Sequence, residues 1–139
     1  MRSTDASGKQ PLHFASLGGH AVVVEHLVVA RGAETRSSNN DGVQPLHQAS
    51  HGGHIWVMEY LVARGAEIRS TDAKGLQPLH DASRGGHTSV TECLVARGAD
   101  ISSTTHVGTQ PLHFATNAGH VAVVEHLVVW VRFFHSYWF

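Results

Sequence analysis

Residues 44–66 of the chain read QPLHQASHGGHIWVMEYLVARGA, and this stretch decides the fold because most of it recurs. Its opening tetrapeptide, Gln-Pro-Leu-His, occurs four times, with the prolines 34, 33 and 33 residues apart. A second histidine follows each tetrapeptide after seven residues, and a segment containing Val, Glu and Leu then recurs in phase. Residues 39–71 and 72–104 are identical at 21 of 33 positions. The chain is therefore made of copies of one unit, and repeats of this length indicate a stacked architecture.

Each unit is predicted to form a short helix, a tight turn, a second helix and a loop. Proline suits the first position of a helix, and the glycine pair seven residues later, which is Ala118-Gly119 in unit four, suits its end. The second helix is predicted from apolar residues at helical spacing, which in unit one are Val23, Val24, Leu27 and Val28. We expect the second helices of the first three units to end at Gly32, Gly65 and Gly98.

The loops between units carry turn chemistry, for example at residues 39–42 and 72–75, where an Asn or Asp is followed three residues later by Gly. One helix pair cannot bury its own apolar face, so each unit is expected to pack on the next. Unit one has one residue more than unit two at the end of its second helix (Val28-Val29-Ala30 against Val62-Ala63). We expect this residue to add a bulge or a partial turn to that helix.

Together these features resemble the ankyrin repeat, which has a β-turn finger, two antiparallel helices and a Thr-Pro-Leu-His-x-Ala signature. The resemblance implies an all-α solenoid of about four helix-turn-helix units joined by β-turn fingers. The predicted units are residues 3–36, 37–69, 70–102 and an incomplete fourth, 103–129, followed by an aromatic tail outside the repeat, 130–139. Every unit has Gln where the family usually has Thr, and Gln is a poor helix N-cap, at a cost of about 1 kcal/mol per helix.

Thirteen histidines in 139 residues raise the question of metal binding or catalysis. Eight of them are framework positions of the repeat: His13, His47, His80, His113, His20, His54, His87 and His120. The resemblance implies that the first four of these bond to backbone and tie one finger to the next. We expect them to be buried and neutral, with burial depressing their pKa.

Five histidines remain outside the framework, namely His26, His51, His106, His126 and His135. His51 and His54 have a spacing close to that of metal ligands, but the intervening Gly52-Gly53 pair is expected to end the helix and turn them apart. Four suitable ligands are usually needed for zinc, and no such cluster is seen. Cys93 has no base near it in the sequence pattern, and a lone cysteine forms no internal disulfide. We therefore predict no catalytic residue, no metal site and no cofactor, and a chain that is not an enzyme.

The resemblance implies that a binding surface lies on the concave side of the stack, formed by finger tips and by the solvent side of each first helix. The corresponding positions differ between units while the framework does not, which is expected of a partner-binding surface and equally of unconstrained exposed sites. The candidate partner-binding residues are Lys9, Phe14, Leu17, Asn40, Asp41, Val43, Gln48, His51, Lys74, Leu76, Asp81, Arg84, His106, Val107, Thr109, Phe114 and Asn117.

Composition limits the kind of partner. The net charge is −1 and charged residues make up 15 % of the chain, which gives no basic footprint for nucleic acid or for an anionic membrane. The polar amino terminus lacks the apolar core of a signal peptide, and charges interrupt the apolar stretch 121–139. We predict a protein partner of unknown identity, no nucleic acid, no membrane, no small-molecule substrate, and a cytoplasmic location with the nucleus left open.

The carboxyl end departs from the repeat, because residues 130–139 hold six of the ten aromatic residues. Three interpretations are open: the tail folds back as a cap, it is a patch for self-association, or it is a foreign end produced by truncation. We favour the third, since unit one also starts at its finger without a cap, and we expect the chain to be a slice of a longer array.

The sequence thus predicts a non-catalytic protein-protein interaction module that binds through its concave face. The alternative is a structural spacer, or a fragment of a longer ankyrin-containing protein whose catalytic or signalling domain lies outside this segment.

Overall fold

The computed structural model describes residues 3–138, with side chains as far as Arg132. The described residues form eight α-helices and no strand, in four consecutive pairs. The first helices of the pairs are α1 (Pro11–Gly18), α3 (Pro45–Gly52), α5 (Pro78–Gly85) and α7 (Pro111–Ala118). The second helices are α2 (Ala21–Val29), α4 (Ile55–Ala63), α6 (Thr88–Ala96) and α8 (Val121–Trp138). This arrangement confirms the predicted all-α solenoid.

The helices form two layers. In one layer α1 packs on α3, α3 on α5 and α5 on α7, and in the other α2 packs on α4, α4 on α6 and α6 on α8. The core lies between successive units, where Leu12, Leu46 and Leu79 are fully buried together with Val24, Met58, Leu61 and Leu94. Because each unit buries its apolar face against a neighbour, the stack and not the single unit is the stable structure.

The fingers, which are residues 5–9, 39–43, 72–76 and 105–109, are closed by the turn chemistry predicted for them. In the second finger, Oδ1 of Asn39 accepts hydrogen bonds from the backbone N–H groups of Asp41 and Val43, both at 2.9 Å. Asp72 makes the same pair of bonds in the third finger. Each finger therefore has a fixed shape before it meets anything else.

The first helices begin and end as predicted, with proline in the first turn and a glycine in the left-handed conformation after the last. Gly53, for example, has φ +77° and closes α3 by donating its N–H to the last turn. The second helices end earlier than predicted. The last helical residues are Val29, Ala63 and Ala96, so Gly32, Gly65 and Gly98 lie in the following turn and not at the helix end.

The additional residue of unit one lies outside the helix, so the expectation of a bulge or partial turn within α2 is wrong. Helices α2, α4 and α6 all have nine residues. The turn after α4 is closed by the N–H of Ala66 donating to the carbonyl of Leu61, whereas the turn after α2 is closed by Ala33 and Leu27, one residue farther apart. An insertion after the helix leaves the buried Val24 and Leu27 in register with the next unit, which an insertion inside it would not.

Helix α8 has 18 residues and continues through Trp138. Residues 130–138 therefore extend the last helix and do not fold back as a cap. The side chains of residues 133–139, on which the self-association interpretation rests, lie outside the described residues. No helix in the described part of the chain combines the length and apolarity needed to cross a bilayer.

The glutamines that precede the first helices form no side-chain cap hydrogen bond, although the histidine three residues later accepts the backbone N–H of each glutamine. The buried amide oxygens of Gln44 and Gln77 have no hydrogen-bond partner among the described residues. A buried polar atom without a partner costs free energy.

We therefore expect Gln44→Thr to raise the free energy of unfolding by about 1 kcal/mol, because a threonine hydroxyl can accept from a backbone N–H of the first turn. Urea unfolding measures the change. Gln44→Ala is the control, since it removes the buried amide without supplying a cap. Equal stability of the Thr and Ala variants would contradict the capping explanation.

Candidate functional site

The first framework histidine of each unit is here called the forward histidine, and in units one to three it connects its helix to the next unit. His13 and His47 bond to the finger, and His80 bonds to Ser103 just before the finger. Nδ1 of His13, His47 and His80 accepts the backbone N–H of the glutamine three residues earlier, at 2.9–3.0 Å. Nε2 then lies 2.9 Å from the carbonyl oxygen of Val43 for His13, 3.0 Å from that of Leu76 for His47 and 3.0 Å from that of Ser103 for His80. Because Nδ1 accepts, the proton is on Nε2 and each ring donates to the next unit.

These three rings are buried, and burial lowers the pKa of His13, His47 and His80, as predicted. The backbone carbonyls that accept from the rings act in the opposite direction but are the weaker influence. His113 differs. Its Nδ1 accepts the N–H of Gln110 at 2.9 Å, yet its ring is exposed, so the prediction of burial is wrong there. In the described residues no finger follows unit four to cover it.

The second framework histidine, here called the backward histidine, bonds to the preceding unit. Nε2 of His54, His87 and His120 donates to the carbonyl oxygens of Leu17, His51 and Arg84, at 2.8, 2.8 and 2.9 Å. Sequence reasoning missed this contact, although the constant seven-residue spacing to the forward histidine was a signal for it.

The glycine pairs are explained by the same contact. A Cβ atom at Gly53 would lie 2.4 Å from Nδ1 of His87, and one at Gly52 would lie 2.6 Å from the carbonyl oxygen of Leu17. At Gly53, glycine is thus required both by the left-handed turn and by the ring of the next unit, and at Gly52 it is required by the carbonyl group of the preceding unit.

A cleft of about 280 Å³ lies between units two and three, among their fingers and first helices. Eight of the predicted partner-binding residues line it: Asp41, Val43, Gln48, His51, Lys74, Leu76, Asp81 and Arg84. Ala73, which the sequence also places at a finger tip, lines it too, and two further lining residues, His47 and Asp72, were not selected by sequence reasoning. Within this group Gln48, Leu76 and Asp81 are buried, so the expectation that they face solvent is wrong. They form the floor of the cleft.

Asp81 is the unusual group of the cleft, since it is a carboxyl group only 5 % exposed. Its Oδ1 accepts a hydrogen bond from Nη2 of Arg84 at 2.9 Å. Burial raises the pKa of Asp81 to about 7, against the lowering effect of Arg84, and Asp72 adds to the rise. The pKa of His51 is lowered by burial and by the positive charge of Arg84. Burial is therefore the larger influence on the charge state of both groups, and Arg84 is the second.

The other predicted residues lie along the same face but outside this cleft. In unit one the ammonium of Lys9 lies 5.7 Å from the ring centre of Phe14, and the carbonyl of Leu17 is occupied by His54. In the second finger, Nδ2 of Asn40 donates to the carbonyl of Ala6 at 3.3 Å.

In unit four the ring of Phe114 meets His80 edge-on, and its centre lies 6.0 Å from the guanidinium carbon of Arg84. Arg84 thus links the cleft to unit four. Three other predicted residues there, His106, Val107 and Asn117, are exposed, and Thr109 is half-buried.

Among the described residues, no group of three or more His, Cys, Asp and Glu side chains could hold a metal ion. Cys93 is half-buried, and its Sγ lies 3.4 Å from Oε1 of Glu59. His51 and His54 face different ways, as expected, because His54 is directed to unit one while His51 lines the cleft. His135 lies outside the described side chains.

In a comparison with protein families, a family model described as ankyrin repeats in three copies matches residues 1–72 and 64–130. No curated protein matches the chain at a significant level. The matched segments together cover all four helix pairs as far as Trp130.

Proposed function

The chain belongs to the ankyrin repeat family, whose members are in general protein-protein interaction modules, and from this premise we propose that it binds a protein partner through the cleft between units two and three. The forward and backward histidines, the glycine pairs and the buried leucines hold the units in a fixed relation. Binding therefore requires little ordering of the chain, which reduces its entropic cost.

The observation that carries the proposal is the contrast between framework and cleft. The forward histidine is present in all four units, but the residue after it is Phe14, Gln48, Asp81 or Phe114. Four positions after the forward histidine the side chains are Leu17, His51, Arg84 and Asn117. Gln48 and Asp81 are buried, so free variation of exposed sites does not account for them, and this supports a surface adapted to one partner.

The chemistry of the cleft favours a protein over a polyanion. Its rim carries Lys74 and Arg84 but also Asp41 and Asp72, and Asp81 lies at its floor. Carboxylates would repel a chain of phosphates, whereas a protein surface can present both signs of charge. An arginine partly desolvated in a cleft is also a typical anchor of protein interfaces.

The test is a pair of double variants with the same change of charge. Lys74→Gln with Arg84→Gln removes the two cations of the cleft, and Arg31→Gln with Arg97→Gln removes two exposed cations from the loops after the second helices. Each protein is used to capture partners from extracts of cells that express it, with quantification by mass spectrometry.

We expect partners of the unmodified protein to be depleted at least tenfold with the cleft variant and retained with the loop variant. Equal recovery with both variants would contradict binding through the cleft. A structural spacer, which has no dedicated partner, would give the same background with all three proteins.

A further inference from the structure

The two ends of the described stack expose side chains whose counterparts in the other units are buried. At the start, Val23 is 48 % exposed, whereas Val57, Val90 and Val123 at the same position are at most 1 % exposed. Phe14 is 51 % exposed, although its counterparts Gln48 and Asp81 are buried. His20, the backward histidine of unit one, is also exposed. Phe14, His20 and Val23 are called the leading face.

Unit four exposes side chains on the other end of the stack. Leu12, Leu46 and Leu79 are fully buried, but Leu112 at the same position is half-buried. His113 and Thr116 are exposed, whereas the forward histidines and the serines at the corresponding positions of units one to three are buried. Val124 is half-buried, although Val24 and Met58 are not exposed at all. Leu112, His113, Thr116 and Val124 are called the trailing face.

We propose that the leading face of one copy of this chain stacks on the trailing face of a second copy, so that the solenoid continues across the junction. The two faces are the two halves of the contact that already joins units one to two, two to three and three to four. A second copy of the chain presents the face that matches each exposed face, and the contact needs no surface other than those already used between units.

Three hydrogen bonds fix the register of this junction, each a copy of bonds within the chain. The backbone N–H of the second finger residue donates to the preceding finger at 2.9, 2.8 and 3.0 Å in the three internal contacts, from Asn40, Ala73 and His106. At the junction the same bond runs from Ala6 to the carbonyl of Val107 in the other copy.

The histidines supply the other two bonds. His113 lies where His13 and His47 lie, so its Nε2 would donate to the carbonyl of Lys9 as theirs do to Val43 and Leu76. His20 would donate to the carbonyl of Asn117, as His120 does to that of Arg84. No hydrogen bond from Nε2 of either His20 or His113 is found within the described residues, so neither ring must give up a partner.

The shapes of the leading and trailing faces also match. The rings of His54, His87 and His120 lie against Gly19, Gly53 and Gly86, but nothing described lies within 4 Å of a Cβ built on Gly119. That open space is the counterpart for His20. Phe14 would meet His113 as Phe114 meets His80, whose ring centres are 5.6 Å apart. Burying Phe14 and Val23 against Leu112 and Val124 supplies the apolar part of the contact.

Such a contact joins different faces of two identical molecules, so it leaves one face of each kind free and allows further growth. We expect the mass measured by light scattering or sedimentation to rise with concentration beyond that of a dimer. A monomer at every concentration up to the solubility limit would overturn the proposal.

Neighbouring substitutions test the leading face. Val23→Lys places a charge in the junction and is expected to reduce association at least tenfold. Val22→Lys makes the same change one residue earlier, at a position that is 81 % exposed and whose counterparts are exposed in every unit, and should leave association unchanged. Equal association of the two variants would contradict the assignment of the face.

The trailing face is tested by Thr116→Lys, with Asn117→Lys as control because unit three has Arg84 at the position of Asn117. The decisive measurement mixes Val23→Lys with Thr116→Lys. Each variant alone should be monomeric, but the mixture should form a one-to-one heterodimer through the faces that remain intact, which also shows that both variants are folded. Absence of that heterodimer would overturn the proposal.

Association through the aromatic tail predicts a different pattern. A variant with Phe133→Ser, Phe134→Ser and Trp138→Ser would then become monomeric, while Val23→Lys and Thr116→Lys would still associate. We expect the reverse.

Discussion

Replacing His80 with leucine is expected to lower the free energy of unfolding by about 3 kcal/mol. The ring of His80 is fully buried, accepts the N–H of Gln77 at 2.9 Å and donates to the carbonyl of Ser103 at 3.0 Å. Leucine fills much of the space but leaves both backbone groups without a partner, and each unsatisfied group costs about 1–3 kcal/mol. Urea unfolding at micromolar protein concentration measures the loss.

The matched control is His113→Leu. His113 accepts the equivalent N–H of Gln110, but its ring is exposed and no described residue accepts from its Nε2. Water can satisfy the N–H that this substitution releases, so we expect a loss below about 1 kcal/mol. Similar losses for the two variants would mean that the bond to the next unit contributes little.

The second large effect is a dependence of stability on pH that becomes visible when Asp81 is replaced by asparagine. The folded-state pKa values of His13, His47 and His80 are lowered by burial. Their contribution to stability is therefore complete above the unfolded pKa of about 6.5 and is lost as the pH falls through the lower folded values.

Asp81 acts in the opposite direction. Its pKa is raised by burial from 3.8 to about 7, so its contribution is complete below pH 3.8 and is lost as the pH rises through about 7. Between pH 7.5 and pH 5 the two trends oppose each other in the unmodified protein. Asp81→Asn removes one of them.

We expect the Asp81→Asn protein to be more stable than the unmodified protein at pH 7.5 by a few kcal/mol, because a desolvated carboxylate is no longer needed. Its urea midpoint should then fall more steeply as the pH is lowered to 5. The lowered pKa values of Asp5 and Asp100 act below this range. Equal midpoints of the variant at pH 7.5 and pH 5 would contradict the role given to the buried histidines.

The repeat itself and the order of helices could be predicted from the sequence because they depend on local chemistry, whereas the role of the forward histidines was implied by the resemblance to the ankyrin repeat. Proline, glycine and the apolar spacing fix where the helices of each unit lie, and four copies of a pattern leave little choice of architecture. The position of the additional residue in unit one could not be predicted, because its placement depends on keeping Val24 and Leu27 in register with α4, which is a contact between units.

The environment of individual side chains was harder to predict. His47 and His113 occupy the same place in identical tetrapeptides, yet one is buried and the other exposed, since within the described residues a following unit covers His47 but not His113. In the same way Asp81 and Phe14 share a position, but the cleft around Asp81 is made by residues from units two and three together. The position of a residue in the repeat is the same in every unit, whereas its burial also depends on the neighbouring unit that packs against it.

The equivalence of the internal contacts also bears on how the gene can change. Because residues 39–71 and 72–104 are copies of one unit, identical at 21 of 33 positions, deletion or duplication of one unit would change the chain by 33 residues without altering the reading frame. In a shortened product His13 would face the carbonyl of Leu76 where it now faces that of Val43, and His87 would reach back to Leu17. Such a product would keep the hydrogen bonds between adjacent units. Related proteins could therefore differ in the number of units, and each deletion or duplication would remove or copy the cleft residues that one unit contributes.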